Sequence, residues 1–75
     1  MLDMLKESFL NEGFDVVENS TLDCAGIEVS NGYKSITVSE CEGVNEGLYK
    51  ITFPNGTFEI SDDAEYIKDV VNWQL

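Results

Sequence analysis

The stretch LYKITFPNGTFEISDDAEYIKDVVNWQL, residues 48–75, decides the fold. Tyr49, Ile51 and Phe53 alternate with Lys50 and Thr52, the period-two pattern of a half-buried strand. Asn55-Gly56 beside alternating apolar residues is a strong short-range hairpin signal. Read as a two-residue loop, it sets Phe53 opposite Phe58 and Ile51 opposite Ile60, so the bulk of both strands lands on one face. A helix must then cover that face, and residues 62–73 supply it. Asp62 with Glu65 three residues on forms an aspartate version of the capping box, with Ser61 as a rival cap. Ile67, Val70 and Val71 are the apolar centre of this helix, and Ala64, Tyr66 and Trp73 widen it to a broad buried arc. Asp62, Glu65, Asp69 and Asn72 follow at helical spacing on the opposite face.

Working outward from that stretch, residues 25–39 form a second hairpin about Asn31-Gly32. With those two as the loop, Val29 meets Lys34, Ile27 meets Ile36 and Ala25 meets Val38. Glu28, Ser35 and Thr37 are left on a polar face. This register puts Cys24 opposite Ser39 and only diagonal to Cys41, a marginal geometry for a disulfide. Upstream, residues 14–18 read as a short strand with Phe14 and Val16 toward the core, although the reverse phase is also open. Residues 2–11 read as a helix with Leu2, Leu5 and Phe9 on one stripe and Asp3 and Glu7 opposite. Gly13 is placed to end it in the left-handed conformation. Residues 19–23 and 40–47 read as loops, the second rich in glycine and glutamate. The expected fold class is α+β: one domain over residues 1–75, with an antiparallel sheet of about five strands and an N-terminal and a C-terminal helix on one face.

At 75 residues the chain is near the lower end of what folds unaided, and 43% hydrophobic residues allow a modest core. No apolar run approaches the ~20 residues that cross a bilayer. The first residues carry acids where an export signal would carry positive charge, so an intact cytoplasmic protein is expected. Two cysteines in such a chain are expected to be reduced thiols. No histidine lies near either, which is too few ligands for zinc, and no D-x-D-x-D-G pattern suggests calcium. No metal or cofactor is expected.

Charge carries the functional reading. Fifteen carboxylates face four lysines, without arginine or histidine, for a formal net charge of −11. Five acids fall in residues 1–20, three in 21–40 and seven in 41–75, so the charge is spread along the chain and not held in a tail. Self-repulsion of this size disfavours direct nucleic-acid or anionic-membrane binding and favours a basic partner. It also exceeds the magnitude of about 2–8 that solubility asks of a small domain. An enzyme is not expected: the chain lacks an imidazole base, a guanidinium clamp and any base paired to a cysteine.

Glu40, Glu42, Glu46, Asp62, Asp63, Glu65 and Asp69 are the candidate partner-binding residues. A helical stripe at i, i+3, i+7 spaces carboxylates every ~5 Å, against one phosphate per ~3.4 Å along each strand of a duplex. Such a surface can occupy a basic nucleic-acid channel. In these dispersed acids, and in its architecture over the whole chain, the sequence resembles small phage-encoded inhibitors, among them anti-CRISPR proteins and DNA mimics. The resemblance implies a non-enzymatic inhibitor that blocks the DNA or RNA site of a basic nuclease, and it assigns no residue roles. Two alternatives stay open. One is an immunity protein or antitoxin against a basic toxin nuclease. The other is an adaptor that is acidic for solubility and binds through residues such as Tyr33 or Trp73. Oligomeric state and target are open at this stage.

Overall fold

The computed structural model describes residues 2–19, 24–41 and 48–75. In chain order the elements are α1 (Leu2–Asn11), β1 (Asp15–Glu18), β2 (Cys24–Ser30), β3 (Ser35–Cys41), β4 (Tyr49–Thr52), β5 (Phe58–Ser61) and α2 (Ala64–Gln74). The five strands form one antiparallel meander in the order β1-β2-β3-β4-β5. Both helices pack on one face of it, as the apolar patterns predict. Leu5 and Phe9 from α1 and Ile67 and Val71 from α2 close over Ile27, Val29, Ile36, Val38, Tyr49 and Ile51. Burying each such aliphatic side chain is worth about 1.5–3 kcal/mol. Because successive strands pair antiparallel throughout, the chain runs up and down between two ends. Glu12, just past α1, accepts a 2.8 Å hydrogen bond from Asn72 in the last turn of α2, so the two helices run in broadly the same direction.

Gly13 ends α1 with φ +95°, the left-handed role its position predicts. Val16 packs on the core while Val17, on the other phase of β1, is exposed, as expected.

Both hairpins differ in register from the Asn-Gly expectation. In the first, Ser30 pairs with Ser35, Val29 with Ile36 and Ile27 with Val38, across a connection at residues 31–34. In the second, Thr52 pairs with Phe58, Ile51 with Glu59 and Lys50 with Ile60. The expected Phe53–Phe58, Ile51–Ile60, Val29–Lys34 and Ile27–Ile36 pairs are therefore not formed. The reason lies in the asparagines. A two-residue type I′ loop needs positive φ at both central residues, yet only Gly32 (φ +95°) and Gly56 (φ +88°) adopt it. Asn31 instead accepts from the backbone N–H of Tyr33 and Lys34, both at 2.9 Å. Asn55 accepts from Thr57 N–H at 3.1 Å and its hydroxyl at 2.6 Å. Each side chain closes a local turn of its own and lengthens the loop.

The shift in the first hairpin changes the cysteine geometry. Cys24 is the register partner of Cys41, and Ser39 pairs with Gly26. The expected Cys24–Ser39 pairing is thus replaced by a direct Cys24–Cys41 pairing.

The shift in the second hairpin inverts β5. Glu59 takes the helix-facing position, while Phe58 (56% exposed) and Ile60 (44% exposed) lie on the opposite, uncovered face. There the Lys50 ammonium sits 4.5 Å from the centre of the Phe58 ring, which gives that ring a cationic neighbour in place of a core.

Candidate acidic interaction surface

The α2 start differs from the expected cap. Asp63 is the N-cap, its Oδ1 accepting from the N–H of Glu65 at 3.0 Å and of Tyr66 at 3.3 Å. Ser61 Oγ accepts from the Asp63 N–H at 3.1 Å, which orients the cap residue. Asp62 thus lies ahead of the helix, and the Asp62–Glu65 capping box is not formed. The acidic stripe on the helix proper is reduced to Glu65 and Asp69, with Asn72 turned to α1 through Glu12. Glu65 also pairs with Lys68 at 3.0 Å. The wide apolar arc is narrower than expected too, since Ile67 and Val71 are buried but Tyr66 and Trp73 are exposed.

The up-and-down topology brings the expected residues together in a way their spacing does not reveal. The starts of α1 and α2 and the ends of β1, β3 and β5 all lie at one end of the molecule. Glu40, Asp62, Asp63 and Glu65 belong to that end. So do Asp3 and Glu18, which sequence reading did not single out. A depression of about 280 Å³ is lined there by Asp3, Lys6, Glu18 and Glu40, so these residues from α1, β1 and β3 are neighbours in space. Lys6 reaches Glu18 at 3.4 Å and neutralises part of this cluster. Asp69 lies partway along α2, away from this end. Glu42 and Glu46 lie outside the described residues.

Carboxylates gather at this end with help from the backbone. The first-turn N–H groups of a helix carry partial positive charge, and acids there are favoured by about 0.3–1 kcal/mol each. Asp3 and Glu65 occupy such first-turn positions. Among the described residues every Asp and Glu except half-buried Glu28 is exposed, and no charged side chain is buried. The charge is therefore carried on the surface. Asp3 and Glu18 could have been found from sequence only by combining the meander topology with the helix starts, because neither stands in an acidic run.

A second feature lies toward the other end, between α2 and the β4–β5 connection. It is an open groove of about 640 Å³ whose walls include Phe53, Pro54, Tyr66, Val70 and Trp73. Glu59 and Lys34 are its charged members. The Tyr66 hydroxyl donates to Glu59 Oε2 at 2.6 Å. That bond first, then burial and the carboxylate charge, raises the Tyr66 pKa above 10.0. Trp73, at 85% exposed, is the chain's single tryptophan.

Among the described residues no group of three or more carboxylate or cysteine side chains could hold a metal ion, and no helix is long and apolar enough to cross a membrane. Comparison with protein-family models, curated proteins and solved structures gives no match.

Proposed function

We propose that this protein is a non-enzymatic acidic inhibitor that binds a basic nucleic-acid-binding protein, such as a nuclease, and blocks its DNA or RNA site by charge mimicry. The observation that supports this reading most is the gathering of Asp3, Glu18, Glu40, Asp62, Asp63 and Glu65 at one end of the fold. Solubility asks only that charge be spread, and its even spread minimises repulsion. Charge gathered at one end costs repulsion and is useful when that end enters a basic cleft. Binding there displaces the phosphate backbone from the lysines and arginines that hold it and collects the same electrostatic energy. Association is then fast and salt-sensitive. The partner is a basic protein of the cytoplasm, and the inhibitor touches neither nucleic acid nor membrane directly.

The test is capture of binding proteins from a bacterial lysate at low salt, eluted along a salt gradient with and without competing DNA or RNA. A basic nucleic-acid enzyme released by moderate salt and displaced by nucleic acid is the expected result. A partner that resists both salt and nucleic acid contradicts mimicry.

The exposed Tyr33 and Trp73 favour a second reading, an adaptor that binds through aromatic side chains. Its complexes would survive salt.

A further inference from the structure

Strand β5 breaks the rule that apolar residues of an edge strand turn toward the core. Its Phe58 and Ile60 lie on the uncovered face, and its one acid, Glu59, turns toward the helix layer. Among the described residues the strand closes the sheet order and pairs only with β4. The backbone hydrogen bond from Phe53 N–H to Thr57 O, at 2.8 Å, marks residues 53 and 57 as a hydrogen-bonded pair. Alternation along an antiparallel ladder then makes 51 and 59 the next such pair, while Phe58 and Ile60 direct their own N–H and C=O groups to the free edge. This is an unpaired strand edge with an apolar row on one side of its plane and a carboxylate among aromatic rings on the other.

We infer that the β5 edge and the adjoining groove form a docking site for an extended segment of a partner protein in which basic and apolar residues alternate. The incoming strand hydrogen-bonds the Phe58 and Ile60 backbone, as in β-strand addition. Period-two alternation sends its side chains to opposite faces. On one face its apolar residues extend the Phe58–Ile60 row. On the other, its lysine or arginine enters the groove, whose charged members are Glu59 and Lys34, and there pairs with Glu59 and lies against Tyr66 and Trp73. Charge complementarity fixes the occupant: a protein of net charge −11 repels an acidic strand, and a second copy of this chain would bring its own Glu59 against the first. The site deepens the proposal of a basic partner and rests on it, but uses none of the carboxylates of the acidic end.

Trp73 reports on the groove directly, because no other tryptophan contributes to emission. The probe is the peptide acetyl-Arg-Val-Arg-Val-Arg-Val-amide, titrated into the protein at low salt. The expected result is a saturable change in Trp73 emission. Three comparisons give that result its meaning. A peptide N-methylated at every residue has no N–H left on either edge, cannot pair as a strand and binds at least tenfold more weakly. Glu59→Gln, checked for fold by circular dichroism, weakens binding at least fivefold. Glu7→Gln, an equal change of net charge on α1, leaves binding within twofold. No saturable change, equal binding of the N-methylated peptide, or equal weakening by Glu7→Gln overturns the inference. Its failure is distinguishable from failure of mimicry: capture of a salt-sensitive, nucleic-acid-competed partner alongside a silent Trp73 leaves the acidic-end reading intact and removes only the docking edge.

Discussion

Asp62 and Asp63 are neighbours in sequence with different work. The Asp63 carboxylate satisfies two N–H groups at the start of α2, whereas Asp62 has no part in the cap. Removing a cap of this kind costs about 0.5–2 kcal/mol, while exposed substitutions away from such features stay within about ±0.5 kcal/mol. Denaturant unfolding should therefore show Asp63→Ala destabilised in that range and Asp62→Ala close to the parent; equal losses would contradict the assignment. Sequence could not choose between them, because Ser61, Asp62 and Asp63 are all good caps and the choice depends on where β5 ends. Two tyrosines offer a second test. Tyr66 is held above 10.0 mainly by its bond to Glu59, and Tyr49 by burial and then the Glu40 charge. Both phenols therefore keep their protons in the fold at pH values where the unfolded chain loses them. Their contribution to stability is complete below pH 10.0 and is lost as pH rises through the folded-state values. In an absorbance titration Glu59→Gln should return one phenol toward 10.0. An unchanged titration curve would show that the Glu59 carboxylate does not act on Tyr66.

Elements were legible where one period dominated. The stripe Leu2, Leu5, Phe9 and the glycine at 13 specify α1, and the alternation in Tyr49, Lys50, Ile51 and Thr52 specifies β4. Register was not legible, because it depends on loop conformation. Asn-Gly is compatible with a two-residue loop and with a longer one in which the asparagine side chain bonds its own backbone. The asparagine's own turn wins here at both places, shifting the register by two residues in the first hairpin and by one in the second. One residue of slip exchanges the faces of a strand, which is why Phe58 and Ile60 are exposed. The first slip is testable through the cysteines. The bond from Asn31 N–H to Lys34 O, at 3.2 Å, makes 31 and 34 a hydrogen-bonded pair and, by alternation, 24 and 41 a non-hydrogen-bonded one. Such partners have Cα atoms about 4.5 Å apart, inside the range of about 4.4–6.8 Å that a disulfide spans. Incubation of the folded protein with glutathione disulfide should oxidise the two thiols to one intramolecular bond and release two reduced glutathione molecules. Mass spectrometry would show the loss of two hydrogens. Stable mixed disulfides with glutathione at both cysteines would contradict the register.

At the scale of the molecule, composition announced the charge but not its placement. The net −11 is plain from residue counts. That six of the twelve described carboxylates share one end follows from the meander, which returns the starts of both helices and the ends of three strands to the same place. Of the seven acids expected to form the site, Glu40, Asp62, Asp63 and Glu65 lie at that end, Asp69 lies on the helix away from it, and Glu42 and Glu46 lie outside the described residues. Asp63 is engaged in its cap, so a test of the surface should leave it alone.

The most direct measurement compares two sets of neutralising substitutions with equal change of net charge. Glu40→Gln, Asp62→Asn and Glu65→Gln remove charge at the acidic end. Glu7→Gln, Asp15→Asn and Glu28→Gln remove as much elsewhere. Affinity for the captured basic partner is measured at fixed salt, with the fold of both variants checked by circular dichroism. Charge mimicry predicts at least a tenfold loss for the first set and a change within about twofold for the second. Equal losses, or no loss in either, would show that the position of the carboxylates does not matter, and would contradict the account.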